Sequence, residues 1–558
     1  MQKAKQSQQN IRATTETNEK SFSWFDFAEA KPVLYKDSAS RGQRQTKNRF
    51  PGLTLPRRSL FYTKVGIFFN PSGICVILFP INPHVYRTII PAIFRADNDN
   101  KTFTMSSKAK FSSKIGVIAA TVGSAVGLGT IWRFPNEVQA NGGSAFLIAY
   151  LICVILMGIP VMLAEFTIGH GSRSDTVTAF HKLTPGKPWW IIGAMGVAAP
   201  YLILMYYMVV AGWTLEYFWM SITGELFSGL NGPGTSATSF FQNIMNDSIS
   251  SGWKPIFWTS LMIFLNLYIL LHGVKKGIER MSNTLMPMLF VILVLFCVVS
   301  LTLPGAMKGV EFFLKPDFSK MDSNVLISAV GQAFFSLSLG MGILITYSAY
   351  FPKDTKMPRT AGTVSALVFL VAIMTGLIIF PAMQSFGISG DTQGTALIFV
   401  TIPQIFLQLP APQLWAILFF FLLVVAALTS TVSVAEVPIA FLCDKFGFSR
   451  KKACCAILLP MLLFCSVCSL SQGPWAGLTL FGLNIFGLLD YFSSNILLPI
   501  VAISVCLYVG FVLPKRFFFN EITNHGTMKP RMAKVFFLFI RFIAPLLILT
   551  VLVSKLIG

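Results

Sequence analysis

Long apolar stretches separated by short polar segments fill the chain from about residue 115 onward. A helix that crosses the hydrocarbon core of a membrane needs roughly 17 to 25 such residues. Eleven stretches reach this length, so the pattern predicts an all-α membrane protein with eleven transmembrane helices. We number them spans 1 to 11, at about 115–134, 145–169, 191–222, 255–272, 284–303, 325–350, 361–387, 413–443, 453–470, 490–513 and 535–556.

Basic residues in the connecting segments indicate how the chain is oriented, because Lys and Arg stay preferentially on the cytoplasmic side of short loops. If span 1 starts in the cytoplasm, that side carries 21 Lys and Arg residues near the spans, and the opposite side carries 6. We therefore predict a multi-pass protein of the plasma membrane, or of the inner membrane in a bacterium, surrounded by lipid. Its N-terminus would be cytoplasmic and its C-terminus outside.

The composition agrees with a membrane protein, since 54% of residues are hydrophobic and 12% are charged, against about 25% charged in a soluble domain. The 44 Lys and Arg residues outnumber the 23 Asp and Glu residues, but they are spread between apolar runs, which excludes a nucleic-acid-binding domain. The five His residues lie outside the spans or at their ends, and no nucleophile is paired with a base, so we predict no enzymatic activity. The oligomeric state leaves no sign in the sequence.

Residues 1–104 differ from the rest of the chain. They begin with a polar segment, which argues against a secretory signal, and they carry 16 Lys and Arg residues against 7 acidic ones. Their longest apolar run, VGIFFNPSGICVILFPI, is interrupted by polar and turn-forming residues, so we do not expect it to span the membrane. We interpret 1–104 as a disordered extension or a start-site artefact, with a regulatory domain as the alternative, and 105–558 as the membrane-spanning domain.

Two spans contain clusters of Gly and hydroxyl residues at their centres: span 1 reads IGVIAATVGSAVGLGTIWRFP and span 6 reads AVGQAFFSLSLGMGILITYSAY. Gly costs about 1 kcal/mol per helix position relative to Ala, and freed backbone amides cannot face lipid. We therefore expect both helices to be broken inside the bundle, around Gly127 and Gly340. Interruptions at matching positions of two repeats mark a transport site near the midplane. Close helix packing by small residues is the alternative.

Residues 105 to about 556 resemble the neurotransmitter:sodium symporter family, whose bacterial leucine transporter has this architecture. The resemblance implies a 5+5 inverted-repeat fold, with repeats at about 115–303 and 325–513 and one extra helix at 535–556. The matching stretches, in chain order, are GSAVGLGTIWRFP at 123–135, NGGSAFLIAY at 141–150, Tyr206-Tyr207, GQAFFSLSLGMG at 331–342 and AALTSTVSVAEVP at 426–438.

The resemblance implies one sodium ion, and a second one less firmly. Oxygen ligands suit a hard cation. The family's second sodium site corresponds here to the carbonyls of Gly123, Val126 and Ala426 and the side chains of Thr429 and Ser430. Its first site corresponds to Ala125, Thr130 and Ser336, but the family has Asn where this chain has Thr130, and the span-7 position aligned with a polar ligand is near Val368. Tyr150, Gln332 and Ser336 are compatible with chloride, which stays undecided.

The substrate implied by the resemblance is a neutral amino acid. Freed amides at the start of a half-helix attract a carboxylate, and family members that bind monoamines place Asp where this chain has Gly127. The pocket would be an apolar cup for an aliphatic or aromatic side chain, although each residue could instead be a packing residue. Its members are Ala125, Gly127, Gly129, Ile203, Tyr207, Val210, Phe335, Ser336, Ser338, Met341, Ser430 and Val434.

Alternating access requires a gate on each side of this pocket. The resemblance implies an outer gate of Arg133, Asp490, Gln332 and Phe335, and an inner gate of Lys108 or Lys110 with Phe111, Tyr350 and Asp444. An acid inside a span is costly unless bonded, so we interpret Glu165 as holding the exposed amides of a broken helix. Glu436 could act similarly or stay protonated, and Arg541 has no role in this scheme.

The sequence thus predicts a sodium-coupled symporter that imports a neutral apolar or aromatic amino acid by alternating access. A non-transporting amino-acid sensor of the same fold is the alternative.

Overall fold

The computed structural model describes residues 110–230, 236–387, 394–524, 526 and 530–557, together with two short strands in the N-terminal extension. These strands, Gly66–Phe69 and Cys75–Leu78, pair antiparallel with Gly66 opposite Leu78. The polar interruption in the apolar run of the extension lies between them. The rest of 1–109, including Lys108, lies outside the described residues, so our interpretation of the extension stays a prediction.

Eleven helical segments match the predicted spans within the described residues, which confirms the all-α membrane fold. Nine are long and apolar enough to cross a membrane as continuous helices, while span 1 and span 6 are each divided in two. The observed bounds are Lys114–Ala125 with Gly129–Ala140, Ser144–Ser172, Trp190–Thr223, Lys254–Leu271, Val274–Leu301, Ser323–Ser336 with Ile343–Ala349, Met357–Ser385, Pro412–Phe446, Arg450–Leu470, Ile485–Val512 and Met532–Leu556.

Shorter elements connect the spans and include one further strand pair. They are Thr176–Leu183, Glu225–Phe227, Ala237–Ser250, Ala306–Leu314, Phe318–Lys320, Leu397–Leu407, the strands Thr479–Leu480 and Leu483–Asn484, and Lys515–Ile522, while Pro530–Leu538 forms the beginning of span 11.

Span 1 breaks where its Gly cluster predicts. The first half ends at Ala125, and Val126 leaves the helical conformation with ψ 83°. The amide of Gly127 then bonds to the Ala125 carbonyl at 3.1 Å in a tight turn. The second half starts at Gly129, at an angle of 55° to the first. Backbone groups on both sides of this bend are therefore released from the helical pattern.

Span 6 breaks over a longer stretch, between Ser336 and Ile343. Ser338, Gly340 and Gly342 all have positive φ angles, of 54°, 75° and 66°. Gly tolerates this conformation because it has no Cβ atom, which explains the residue type at two of the three positions. The break near Gly340 is thus favoured by the local sequence.

The broken spans lie in the interior of the bundle, as backbone groups released within a membrane require. Every residue of Ile343–Ala349 is buried, and the central part of span 8 is buried on all faces. Spans 5 and 11 lie at the periphery instead, where Val291 is 68% exposed and Leu546 is 65% exposed. The polar backbone at the two breaks is therefore shielded by the continuous helices around it.

Candidate substrate and sodium site

A cavity lies between the two breaks and spans 3 and 8. It is lined by Ser124, Ala125, Gly127, Gly129, Ile203, Tyr207, Phe335, Ser338, Met341, Ser430 and Val434. The predicted pocket residues are therefore brought together, with two exceptions. Val210 is buried but absent from the lining, and Ser336 points to Tyr150, whose hydroxyl lies 2.8 Å from Ser336 Oγ. Ser124 was missed because its carbonyl, and not its side chain, faces the spans around it.

The bend in span 1 forms one wall of this cavity. The amide of Leu128 donates a 3.2 Å hydrogen bond to the Tyr207 hydroxyl. A Cβ atom added at Gly127 would overlap Ser430 Oγ and come within 2.9 Å of Tyr207 Oη. Only Gly leaves this wall open, so the backbone of the bend is accessible to a small molecule. The outer half of span 1 starts here, and its N-terminus attracts a negative charge.

The break in span 6 is held by polar groups from three neighbouring elements. Glu165 Oε1 of span 2 accepts a 2.7 Å hydrogen bond from the Gly340 amide. Ser338 Oγ donates to the Ser124 carbonyl at 3.0 Å, which joins the two breaks directly. On the other side, Thr176 Oγ1 donates to the Gly342 carbonyl at 3.1 Å. The break therefore has a defined shape.

Oxygen atoms predicted to form the second sodium site lie close together beside the cavity. Ser430 Oγ is 3.4 Å from the Gly123 carbonyl, and Thr429 Oγ1 is 3.1 Å from the Ala426 carbonyl. A Cβ atom on Gly123 would lie 3.5 Å from Thr429 Cβ, so spans 1 and 8 are in contact here. Neutral oxygens from two helices, next to a released backbone at Val126, fit a hard monovalent cation.

The predicted first sodium site is assembled only in part. Thr130 Oγ1 donates to the Ala125 carbonyl at 3.1 Å, whereas Ser336 bonds to Tyr150. Val368 of span 7 is fully buried and offers no side-chain oxygen. The hydroxyl of span 6 that reaches span 1 is Ser338, two residues beyond the predicted one, because the helix has already unwound there.

Tyr150 and Ser336 are also two of the three residues compatible with chloride. The third, Gln332, is buried and donates through Nε2 to the Gly129 carbonyl at 2.9 Å. Its Oε1 atom finds no hydrogen-bond partner among the described residues. Gln332 therefore links span 6 to the outer half of span 1.

The predicted outer pair of Arg133 and Asp490 is not formed in this conformation. Arg133 Nε lies 3.5 Å from Glu137 Oε1 one turn along its own helix, and Asp490 accepts a 3.0 Å hydrogen bond from Ser494. The guanidinium of Arg133 instead lies 5.0 Å from the centre of the Phe335 ring. Glu137 competes with Asp490 for Arg133, because residues four positions apart on one helix are neighbours whatever the arrangement of the spans.

Phe335 separates the central cavity from a second one formed by residues of spans 1, 6, 10 and 11. Its ring lies 2.5 Å from the position of a Cβ atom on Gly129, and it lines both cavities. The second cavity is also lined by Arg133, Ser494 and Lys555. Phe335 therefore lies between the two cavities, and its role as a lid stays a prediction.

A packed aromatic group lies at the end of the bundle where span 1 starts. The buried Phe111 ring makes edge contacts with Tyr347 at 5.7 Å and Tyr350 at 6.1 Å. The amide of Phe111 donates to the Tyr350 carbonyl at 3.1 Å. The N-terminal segment therefore lies directly against the inner half of span 6.

Asp444 lies at this end but contacts a different element from the one expected. Asp444 Oδ2 accepts a 3.0 Å hydrogen bond from the backbone amide of Asp175. Asp175 starts the helix Thr176–Leu183, and its carboxylate accepts hydrogen bonds from Val177 and Thr178. Burial, partly offset by these bonds, raises the pKa of the Asp175 carboxyl. Lys110, the described basic residue of the predicted inner gate, is exposed.

The sequence analysis missed two residues near this end of the bundle, Arg450 and Glu279. Arg450 binds both oxygens of the buried Glu436, at 2.7 and 2.5 Å, and Tyr350 donates to the same carboxylate at 2.8 Å. Glu436 is therefore an ion-paired group, and the basic start of span 9 could have suggested its partner. Glu279 accepts hydrogen bonds from the amides of Ser112 and Ser113, a contact with no pattern in the sequence.

Comparison with known proteins agrees with this geometry. The sequence profile described as the Sodium:neurotransmitter symporter family matches residues 108–230 and 234–558. The chain belongs to this family. It is thus a multi-pass, sodium-dependent membrane transporter and not an enzyme, and the resemblance in its sequence motifs is confirmed.

Similar members of the sodium:neurotransmitter symporter family come from bacteria and archaea. An uncharacterized sodium-dependent transporter of Bacillus subtilis is 36% identical over 79% of this chain and 96% of its own length. One of Methanocaldococcus jannaschii is 37% identical over 71% of this chain and 80% of its own length. The crystal structure of MhsT in complex with L-phenylalanine is similar with a TM-score of 0.73 and 42% identity, covering 80% of this chain and all of MhsT.

Proposed function

We propose that the protein imports a neutral amino acid with an apolar or aromatic side chain, driven by sodium. The observation that carries this proposal is the open wall at Gly127, where a released backbone and the Tyr207 hydroxyl face the cavity. A carboxylate fits there because amides at a helix start favour negative charge. A substrate with its own carboxylate needs no acidic residue at this position.

The rest of the cavity supports an uncharged side chain. Ile203, Phe335, Met341 and Val434 supply apolar surface, and Met adapts to ligands of different shape. The lining contains no Asp, Glu, Lys or Arg residue. A basic or acidic side chain would lose its hydration there without gaining a partner. The L-phenylalanine bound to MhsT has a side chain of the expected kind.

The oxygens proposed to bind sodium lie on spans 1 and 8, which are two of the four spans that line the cavity, and this supports coupling. One sodium ion moving with a zwitterion carries one net charge, worth about 2.3 kcal/mol at 100 mV. A tenfold sodium gradient adds about 1.4 kcal/mol. Together these could concentrate an amino acid several-hundred-fold, and a second sodium at the Thr130 site would raise this limit. We propose at least one sodium ion and leave chloride out of the scheme.

Orientation follows from the basic residues of the loops. We propose that the protein lies in the plasma membrane, with the segment before span 1 in the cytoplasm and the end of span 11 outside. The closed end at Phe111 is then the cytoplasmic end, and the Phe335 side faces outward. Import would proceed from the Phe335 lid towards Phe111.

Uptake into proteoliposomes tests the proposal. We expect uptake of radiolabelled apolar or aromatic amino acids that requires an inward sodium gradient, with little uptake of lysine or glutamate. The double variant Thr429→Ala with Ser430→Ala should lose sodium-driven uptake. Thr431→Ala is a matched control, because Thr431 Oγ1 bonds to the Leu428 carbonyl of its own helix.

Two results would contradict the proposal. Uptake that is unchanged when potassium replaces sodium would show that transport is not coupled to sodium. Sodium-dependent binding without counterflow would indicate a sensor and not a transporter. Competition among all twenty amino acids for one labelled ligand would identify the preferred side chain.

A further inference from the structure

Arg541 in span 11 carries a charge that no protein group neutralises in the described part of the chain. Its Nε atom is buried and finds no hydrogen-bond partner, and no carboxylate lies within 4.0 Å of its guanidinium among the described residues. Two aromatic rings flank it instead: its Cζ lies 4.4 Å from the centre of the Phe511 ring and 5.3 Å from that of Phe542. The guanidinium is thus positioned but not paired.

Its position along the membrane normal can be read from span 10. A Cβ atom on Gly510 would lie 3.1 Å from Arg541 Cα, so the two residues are level. Span 10 ends at Val512, about 3 Å further along the axis. Helix side chains lean towards the N-terminus of their helix, and span 11 starts at the end of the bundle where span 10 stops. The guanidinium therefore approaches the boundary between hydrocarbon and headgroups.

The surface around Arg541 is apolar and faces outward from the bundle. Phe511 is 50% exposed and Phe542 is 53% exposed, and their rings meet edge to face at 6.0 Å. Leu538 and Leu546 continue the exposed row on span 11. An exposed apolar surface formed by spans 10 and 11 thus has a positive charge at its end near the headgroups.

We propose that this surface binds an anionic phospholipid. Headgroup oxygens would contact the Arg541 guanidinium, whose planar arrangement of donors suits phosphate, and an acyl chain would lie along Phe542 and Leu546. Lys515 and Lys534, both exposed near the same ends of the two helices, add positive charge. The orientation proposed above puts this end in the cytoplasmic leaflet, where anionic lipids concentrate.

Other occupants fit this surface less well. A free phosphate ion would leave the exposed Phe and Leu side chains unused. An apolar helix of another protein would cover the rings but would enclose an unpaired guanidinium in a low-dielectric environment, which is costly. A phospholipid satisfies both the charge and the apolar row.

Native mass spectrometry of the purified, delipidated full chain tests the proposal. Phosphatidylglycerol and phosphatidylcholine would be titrated separately onto the wild type, Arg541→Gln and Arg541→Lys. We expect roughly fivefold weaker retention of phosphatidylglycerol by Arg541→Gln, with much of the affinity kept by Arg541→Lys. Lys275→Gln is the matched control, since it removes the same charge from an exposed residue at the start of span 5. Equal retention by wild type and Arg541→Gln would overturn the proposal.

A second measurement uses the wild-type chain and does not depend on the variants folding. A photoactivatable phosphatidylglycerol in phosphatidylcholine nanodiscs should label peptides from the adjoining ends of spans 10 and 11. Unlabelled phosphatidylglycerol should compete, and inorganic phosphate should not. Labelling elsewhere would overturn the site, equal competition by inorganic phosphate would indicate a small-anion site, and equal competition by phosphatidylcholine would exclude headgroup selectivity.

Discussion

The backbone amide of Gly340 donates a 2.7 Å hydrogen bond to Oε1 of Glu165. Glu165 is fully buried in span 2, and Gly340 lies in the unwound part of span 6 with φ 75°. An amide released from a helix within the membrane needs a partner. This acid therefore stabilises the break on which the central cavity depends.

Two replacements of Glu165 test the importance of its hydrogen bond with the Gly340 amide. Glu165→Ala leaves the Gly340 amide without its acceptor, which costs about 1–3 kcal/mol for a buried group. Glu165→Gln keeps an acceptor oxygen. We expect a lower melting temperature and little uptake for the Ala variant and a milder loss for the Gln variant. Wild-type melting and uptake by Glu165→Ala would show that the bond is dispensable.

Gly127→Ala should close the central cavity. Its Cβ atom would overlap Ser430 Oγ and crowd Tyr207 Oη, so we expect substrate affinity to fall by at least about tenfold, or ~1.4 kcal/mol. Gly362→Ala is the control, because a Cβ atom at that helical position of span 7 meets no atom within 4 Å. Equilibrium binding of a labelled amino acid measures both variants. Unchanged affinity in Gly127→Ala would mean that the substrate binds elsewhere.

Removing only Arg450 from the Arg450–Glu436 ion pair should destabilise the protein more than removing both charges. Arg450→Gln leaves a fully buried carboxylate with reduced compensation, which costs about 3–5 kcal/mol. The double variant Arg450→Gln with Glu436→Gln removes both charges and should recover much of the stability. Thermal melting in detergent compares the single and double variants. Additive losses would show that the two residues act independently.

Phe335→Ala should speed substrate release towards the outer side, because this ring separates the two cavities. An aromatic contact contributes about 0.5–1.5 kcal/mol beyond buried area, so a severalfold faster dissociation rate is expected. Stopped-flow exchange with unlabelled substrate measures this rate. Phe318→Ala, at a ring that is 65% exposed on a connecting segment, serves as the control. Equal dissociation rates for the wild type and Phe335→Ala would show that Phe335 does not act as a lid.

Much of the site could be predicted because it is local in sequence. The Gly cluster of span 1 and the Thr429-Ser430 pair each lie within a few adjacent residues, and their resemblance to family motifs relates one to the other. Ser336 shows the limit. The resemblance places both Ser336 and Ser338 at the site, but Ser336 bonds to Tyr150 and only Ser338 lines the central cavity.

Charge pairing was harder to predict than helix breaking. Arg133 has a nearby partner on its own helix, Glu137, and a distant one on another span, Asp490, and only the relative position of the spans decides between them. Glu436 meets Arg450 fourteen residues away because span 9 turns back against span 8. Such contacts depend on packing over the whole bundle.

By itself, the sequence determined the apolar spans, the points where two of them break and the kind of oxygen atoms available there. These follow from hydrophobicity and from the conformational freedom of Gly, which are properties of short segments. The tertiary structure decided which released groups meet: Gly340 with Glu165, Phe111 with Tyr350, and Arg541 with two rings at the lipid surface. The reason is physical, since each of these contacts depends on the relative placement of helices that are far apart along the chain.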